Sequence, residues 1–411
     1  MKKEEKVATR NAFMLYLMTF AKMVFPLLTL PYLTRVLSTP VYGVATYVKA
    51  VMQYMQLLLA FGFSLSATKE IVDANLNKEK LCQILGDVQV AKLILTGCAG
   101  VATIILTLAI PILRQNPLFV ALSFLNVVIT EMLAEYLFRG IDRMEALTIR
   151  FVASKLISTV CTFIFIKEDA HLLLIPIFDC LGSAAAFVMM MVDLKKMGLR
   201  MKPTGIRRSL QMLKESATYF ASEMATTAFG ALNTVMIGIY ADATQVAYWG
   251  IVIQLVGAVN SLYTPITSGI YPSMIRTKSL AFIKKILMIF MPIVTVGCCF
   301  CYFAAPLIIT IIAGTEYVAA VPVFRSMLPV LFFSFAAIIF GWPTLGAIGK
   351  SKETSITTVI TAIAQVVGLF VLVWTNQFTL IHIALLRGAT ELLMLILRFS
   401  YCMRFRHEFN D

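Results

Sequence analysis

Long apolar runs, each about as long as a helix that crosses a hydrocarbon layer, recur along the whole of this 411-residue chain between short charged or Pro/Gly/Asn breaks. A spanning helix takes about 20 mostly apolar residues and must satisfy its backbone polar groups internally, because no water reaches them. The runs predict spans near 12–34, 44–66, 88–110, 118–138, 151–167, 172–192, 216–240, 245–272, 286–313, 323–346, 355–375 and 379–400. The fifth is short, and reaches back to Ala146 if Arg150 and Lys155 snorkel or face a cavity. With 59% apolar and only 14% charged residues, against about 25% charged in a soluble domain, a set of water-facing cores is excluded. The expected fold is an all-α integral membrane protein of about twelve transmembrane helices.

The chain carries a net charge of +13, and where that charge lies says what it is for. Lys2, Lys3, Lys6 and Arg10 precede the first span, and Lys195, Lys196, Arg200, Lys202, Arg207, Arg208 and Lys214 follow the sixth. The loops after the other even-numbered spans are basic too, as is the C-terminal end with Arg398, Arg404 and Arg406, whereas the opposite side holds Arg35, Arg114 and Lys167. Positive charge marks the cytoplasmic side. Both termini are therefore expected inside, and the basic excess reads as a topology signal and a contact for anionic membrane lipids, with no nucleic acid as partner. MKKEEK leads straight into apolar sequence without a small-residue cleavage site, so the first helix is expected to be retained.

The most basic loop falls at the midpoint and predicts three parts: a six-helix bundle over 1–192, a cytoplasmic linker over 193–215 and a second six-helix bundle over 216–411. TPVYGVATYVKAV from Thr39 and TQVAYWGIVIQLV from Thr244 suggest duplication, pairing Thr39 with Thr244, Val41 with Val246, Val51 with Val256 and Lys49 with Gln254. Halves with an even number of spans share one orientation, a parallel-repeat layout in which the solute site lies between the halves.

A charged side chain at the centre of a span costs about 2.5–3.5 kcal/mol or more, and normally faces water or a partner. Lys22 lies deep in the first span, followed by Pro26 and Pro31, which interrupt the hydrogen-bond ladder and are expected to bend the helix. Lys49 lies in the second span; it either lines a cavity or snorkels, and snorkelling is the simpler reading of Lys92 and Lys155. Glu223 and Asn233 in the seventh span, with Gln254, Asn260 and Pro265 (a further kink) in the eighth, add polarity and bends. Glu131 and Glu135, one turn apart, and Asp179 either balance cationic neighbours or bind a coupling cation or proton. Arg387 and Glu391 have helical pairing distance, and Arg325 reads as interfacial.

Enzymatic signatures are missing from the sequence. His171, His382 and His407 are scattered, no phosphate-binding Walker loop occurs, and the cluster Cys298, Cys299 and Cys301 has no His or carboxylate beside it. No catalytic residue, metal or cofactor is expected.

Three stretches carry a family resemblance. LPYLTRVLSTPVYGVATYVKAVMQYMQLLLAFGFSLSATKEI at 30–71, TVMIGIYADATQVAYWGIVIQLVGAVNSLYTPITSGIYPSM at 234–274 and AGTEYVAAVPVFRSMLP at 313–329 resemble the polysaccharide transporter family of the multidrug/oligosaccharidyl-lipid/polysaccharide (MOP) superfamily, the O-antigen and capsule type of flippase. The resemblance implies two six-helix bundles around a central cavity, working by alternating access in a bacterial cytoplasmic membrane. It implies a lipid-linked oligosaccharide, carried on undecaprenyl diphosphate, as substrate, with other polysaccharide assembly proteins as further partners. Lys22 and Lys49 would then meet the diphosphate, and Tyr54, Gln56, Asn233, Gln254 and Asn260 the sugar. The rival readings are a cation-coupled multidrug or metabolite exporter of the same superfamily, a lipid II flippase, though such proteins carry two more helices, and a membrane-embedded polysaccharide polymerase or ligase, which would bring a large outer loop.

Overall fold

The computed structural model describes residues 3–410, except the side chains of 3–9, 12, 222 and 225–229. The side chains of Lys2, Lys3 and Lys6 in the charge argument thus lie outside the described residues. The described residues form α-helices, a few tight helical turns and no strand. In chain order the helices are α1 (Lys3–Val36), α2 (Thr39–Ala60), α3 (Phe63–Asp73), α4 (Lys78–Ala109), α5 (Pro111–Arg114), α6 (Pro117–Glu131), α7 (Glu135–Gly140), α8 (Met144–Phe165), α9 (Leu174–Met197) and α10 (Ile206–Tyr240). They continue with α11 (Ala243–Ser261), α12 (Tyr263–Thr277), α13 (Leu280–Ala313), α14 (Val321–Ile339), α15 (Ser351–Trp374) and α16 (Leu380–Arg404). Among the described residues, 11 helical stretches are long and apolar enough to cross a membrane. The expected span at 216–240 lies within α10, whose apolar part is Gly230–Tyr240. The protein is an all-α, multi-pass membrane protein.

Several expected spans are pieces of longer helices. The stretch read as 44–66 breaks at Phe61 and Gly62, both with positive φ, dividing α2 from α3. α8 starts at Met144 and α4 at Lys78, well before the apolar windows at 151 and 88. α1 runs unbroken through Pro26 and Pro31. Pro26 has no N–H to give the carbonyl four residues back, which is that of Lys22. Pro265 sits in the first turn of α12, where an N–H has no helical partner anyway.

The chain divides into two compact units, Met1–Val235 and Met236–Asp411, with the boundary inside α10. In the first, Phe63, Ile71, Leu85, Val88, Phe138 and Met190 form a core to which Leu199 and Met212 of the basic loop also belong. That loop is fastened to α4: Lys202 N donates to Cys82 O (3.0 Å), while the Thr204 amide and hydroxyl both donate to Asp87 (2.7 and 2.8 Å). Gly86 leaves the room for it, since a Cβ there would meet Pro203 N at 2.3 Å. Arg208 then pairs with Glu70 at 3.0 Å.

α1 is tied to α8 near both ends. Thr148 Oγ1 donates to Met14 O (2.9 Å), and the Tyr32 hydroxyl lies 2.9 Å from Phe163 O and 2.6 Å from Ile166 O. α8 and α9 approach so closely that a Cβ on Gly182 would sit 2.3 Å from Ser154 O. Small residues at crossings allow such contact between spanning helices.

The second unit packs Tyr263, Met274, Phe335, Ile339, Cys402 and Phe409 into its core. α14 loses regular geometry after Ile339, where Gly341 has ψ −120° and Pro343 follows. Arg398, which the sequence reading assigns to the basic C-terminal end, is buried beside this break. It donates to Ala337 O (2.7 Å), Thr357 Oγ1 (3.2 Å) and Thr358 Oγ1 (3.0 Å). α16 continues past it to Arg404, so Arg398 serves the interior, and its guanidinium takes a carbonyl next to the irregular turn.

Gly182→Val, which drives β-carbons into the Ser154 backbone, is expected to destabilise the protein by about 1–3 kcal/mol. Thermal unfolding of the detergent-solubilised protein measures this, and an unchanged transition would mean that α8 and α9 separate without cost.

Candidate functional site

α8 gathers the charges of the first unit. Phe151, Lys155 and Ser158 recur at helical spacing and so share one face. Because α1 is tied to both ends of α8, Lys22 comes to rest with Nζ 5.4 Å from the Phe151 ring centre. The close crossing of α8 and α9 brings Lys155 Nζ within 3.5 Å of Asp179, whose carboxylate also accepts from the Ser158 hydroxyl at 2.7 Å. Lys49, from α2, is near enough to feel the charges of both Lys155 and Asp179. Lys155 is therefore no headgroup-seeking lysine but part of the site. Lys49 and Lys155 thus share one aspartate, and Lys22 stands over the Phe151 ring on the same face of α8, which leaves that face with an excess of positive charge.

α2 shows what that charge faces. Half of its residues are buried, among them Tyr47, Val48, Val51 and Leu59. Its exposed residues include Lys49, Gln53 and Gln56, at i, i+4 and i+7. Past its basic first turns, α13 exposes residues mostly of the opposite kind, among them Met288, Ile293, Val296, Phe300, Phe303 and Leu307. A helix face turned to hydrocarbon looks like α13, so the polar stripe of α2 faces water or a polar solute. Gln53 escaped the sequence reading although its spacing from Lys49 and Gln56 was there to be used.

A second cluster lies further along α2. Gln56 Nε2 donates to Glu131 Oε1 (3.2 Å), and Lys92 pairs with Glu131 Oε2 at 3.1 Å while also donating to the Glu131 carbonyl. Lys92 is thus a buried ion-pair partner instead of a snorkelling side chain. Glu135 lies 3.9 Å from Arg139, and Glu223 feels the charges of Glu131 and Arg139. Here carboxylates outnumber cations. From Lys49 to Gln56 along α2 is about 10 Å, so one helix carries a basic site and an acidic site side by side. Arg150, expected in a loop, snorkelling or facing a cavity, is also buried: its guanidinium lies 3.8 Å from the Phe138 ring centre and 3.9 Å from Asp193.

The remaining predicted residues fall elsewhere. Tyr54, half-buried, lies off the polar stripe of α2, and Asn233 is buried in α10. In the second unit Gln254 is half-buried on α11, and Asn260 accepts from the Ser334 hydroxyl at 3.0 Å. Arg387 and Glu391 pair at 2.7 Å, and Arg325 donates to Tyr302 O at 2.9 Å. No group of His, Cys, Asp or Glu suited to a metal occurs among the described residues.

The profile of a family described as "Polysaccharide biosynthesis protein" matches residues 8–278. The chain belongs to that family. It is 24% identical over 372 residues to a protein of Shigella dysenteriae (89% of this chain, 93% of the relative). It is 25% identical over 396 residues to one of Escherichia coli K12 (94% of each). Both relatives carry the description "Putative O-antigen transporter". Among solved structures, an inward-facing multidrug resistance MATE family transporter of the MOP superfamily aligns with TM-score 0.66 at 13% identity, covering 94% of this chain and 98% of that one. A MOP superfamily transporter from Pyrococcus furiosus, described as having a binding pocket of reverse polarity, aligns with TM-score 0.53 at 15% identity, with 96% of each chain covered. The fold is the MATE-like fold of that superfamily, and this member of the polysaccharide biosynthesis family is a membrane transporter, not an enzyme.

In this family member the Lys92–Glu131 pair supplies a clean test of buried charge. Lys92→Met leaves the Glu131 carboxylate without its cation and is expected to cost about 3–5 kcal/mol, most of which Lys92→Met with Glu131→Gln restores. Unfolding of the single and double variants in one detergent checks it; equal loss in both would show that the pair is not coupled.

Proposed function

We propose that the protein is a flippase that carries undecaprenyl-diphosphate-linked oligosaccharide from the inner to the outer leaflet of the bacterial cytoplasmic membrane, by alternating access, for surface polysaccharide assembly. The observation that carries this reading is the α8 face, with Lys49 and Lys155 beside Asp179 and Lys22 over the Phe151 ring. A diphosphate esterified by lipid at one end and sugar at the other is a compact dianion, and an excess of ammonium groups within spanning helices is the complement it needs. A cationic drug would be repelled by the same face. The exposed amides of Gln53 and Gln56 continue the polar stripe and give hydrogen-bonding partners to sugar hydroxyls. Family membership and the O-antigen descriptions of both relatives support the same substrate class.

The acidic cluster of Glu131, Glu135 and Glu223 favours a second element, cation or proton coupling, which the exporter reading shares. The two readings separate by substrate. In a bacterium whose own O-antigen flippase has been deleted, the intact protein is expected to restore surface polysaccharide. Lys22→Ala and Lys49→Ala each reduce it at least about ten-fold, as losing one charge-assisted contact implies, with unchanged amounts of protein in the membrane. Undiminished surface glycan in both variants would refute the lysine site; resistance to cationic drugs without restored glycan would favour the exporter.

A further inference from the structure

The second unit holds a groove that the charged clusters do not use. It lies between the first part of α13 and the last turns of α16 and has a volume of about 820 Å³. Leu287 and Met291 of α13, Phe340 after α14, and Phe399 and Met403 of α16 make it apolar along its length. Its lining also includes two cations, Lys284 and Arg406. Neither side chain has an ion-pair or hydrogen-bond partner among the described residues.

That basic end is built. Arg406 opens a short helical turn that follows α16, and the residues after it are anchored. Glu408 pairs with Lys350 at 2.8 Å, Phe409 is buried in the core, and Asn410 donates to Thr277 O (2.8 Å) and Lys278 O (3.0 Å). Arg406 is therefore held on the same side of the groove as the start of α13, where Lys284 stands.

Length and charge point to the occupant. The α13 wall from Leu280 to Pro292 rises about 18 Å, close to the ~15 Å hydrocarbon depth of one leaflet. A hydrocarbon chain suits the apolar lining, and the unpartnered Lys284 and Arg406 side chains call for an anion at one end only. We propose that the groove binds an anionic phospholipid of the leaflet at the Lys/Arg-rich ends of the helices, one acyl chain along α13 and the phosphate between Lys284 and Arg406.

Native mass spectrometry of the full-length detergent-solubilised protein, titrated with dioleoylphosphatidylglycerol or dioleoylphosphatidylcholine, tests this. The intact protein is expected to prefer the glycerol lipid by roughly 10- to 30-fold, two basic residues each adding to the attraction. Lys284→Ala with Arg406→Ala removes the preference, Lys284→Arg with Arg406→Lys keeps it, and Met291→Trp, which fills the groove and leaves both cations, abolishes retention of the glycerol lipid. A preference that survives the double alanine variant overturns the proposal, as does undiminished retention in Met291→Trp. Displacement of the lipid by an equal concentration of inorganic phosphate overturns it too, because the site would then be an anion site without a chain-binding groove.

Discussion

The penalty for an uncompensated charge in hydrocarbon governs the arrangement of this protein. Several kilocalories per mole stand against each buried ion, and the first unit meets that cost in two ways. Lys92 and Glu131 compensate each other within one contact, and Arg150 lies against both an aromatic ring and Asp193. The α8 face is different, because Asp179 is shared by Lys155 and Lys49, and Lys22 has a phenyl ring for company. A cation–ring contact at 5.4 Å is worth about 0.5–2 kcal/mol, less than the cost of placing the charge there in hydrocarbon. Water or an anion would have to make up the difference, and this sets the positive excess apart from the charges that are already paired.

The distances that matter are set by backbone approach. Gly182 lets α9 come against the Ser154 carbonyl, and only at that separation can Asp179 reach both Ser158 and Lys155. Thr148 and Tyr32 fix α1 along α8, which seats Lys22 over the Phe151 ring, one turn before Lys155 on α8. In the second unit Arg398 performs an equivalent service for the interrupted end of α14, with hydroxyls of α15 as its other partners. Interiors of this kind have two polar requirements, satisfied backbone and matched charge, and side chains from neighbouring helices meet both.

How much of this the sequence reveals depends on where each helix is taken to begin. Hydropathy locates the apolar middle of every span, and depth within that middle singles out Lys22 and Lys49. It places the ends badly, because α4, α8 and α13 continue as helix into charged sequence. A late start at 151 makes Lys155 look like an end residue free to snorkel, whereas α8 from Met144 puts it well inside. The same error moves Lys92 toward a headgroup and Arg150 into a loop, whereas Arg398 lies inside the expected last span at 379–400 and its burial is hidden by counting it with the basic C-terminal end. Gln53 was legible from spacing alone. The Phe151–Lys22 contact was not, since it depends on how α1 is fastened to α8.

The two clusters on α2 are close enough to act on each other. At about 10 Å and an effective dielectric constant near 20, unit charges interact by roughly 1.7 kcal/mol, which is somewhat more than ten-fold in an equilibrium constant. An anion seated between Lys49 and Lys155 therefore favours a proton or cation at Glu131, Glu135 and Glu223, and by reciprocity the cation favours the anion. Interactions of this size need no moving part, only packed helices that hold the groups at fixed separation in a poorly screened interior. α2, half of whose residues are buried, carries Lys49 in one cluster and, through Gln56, meets the Glu131 carboxylate of the other.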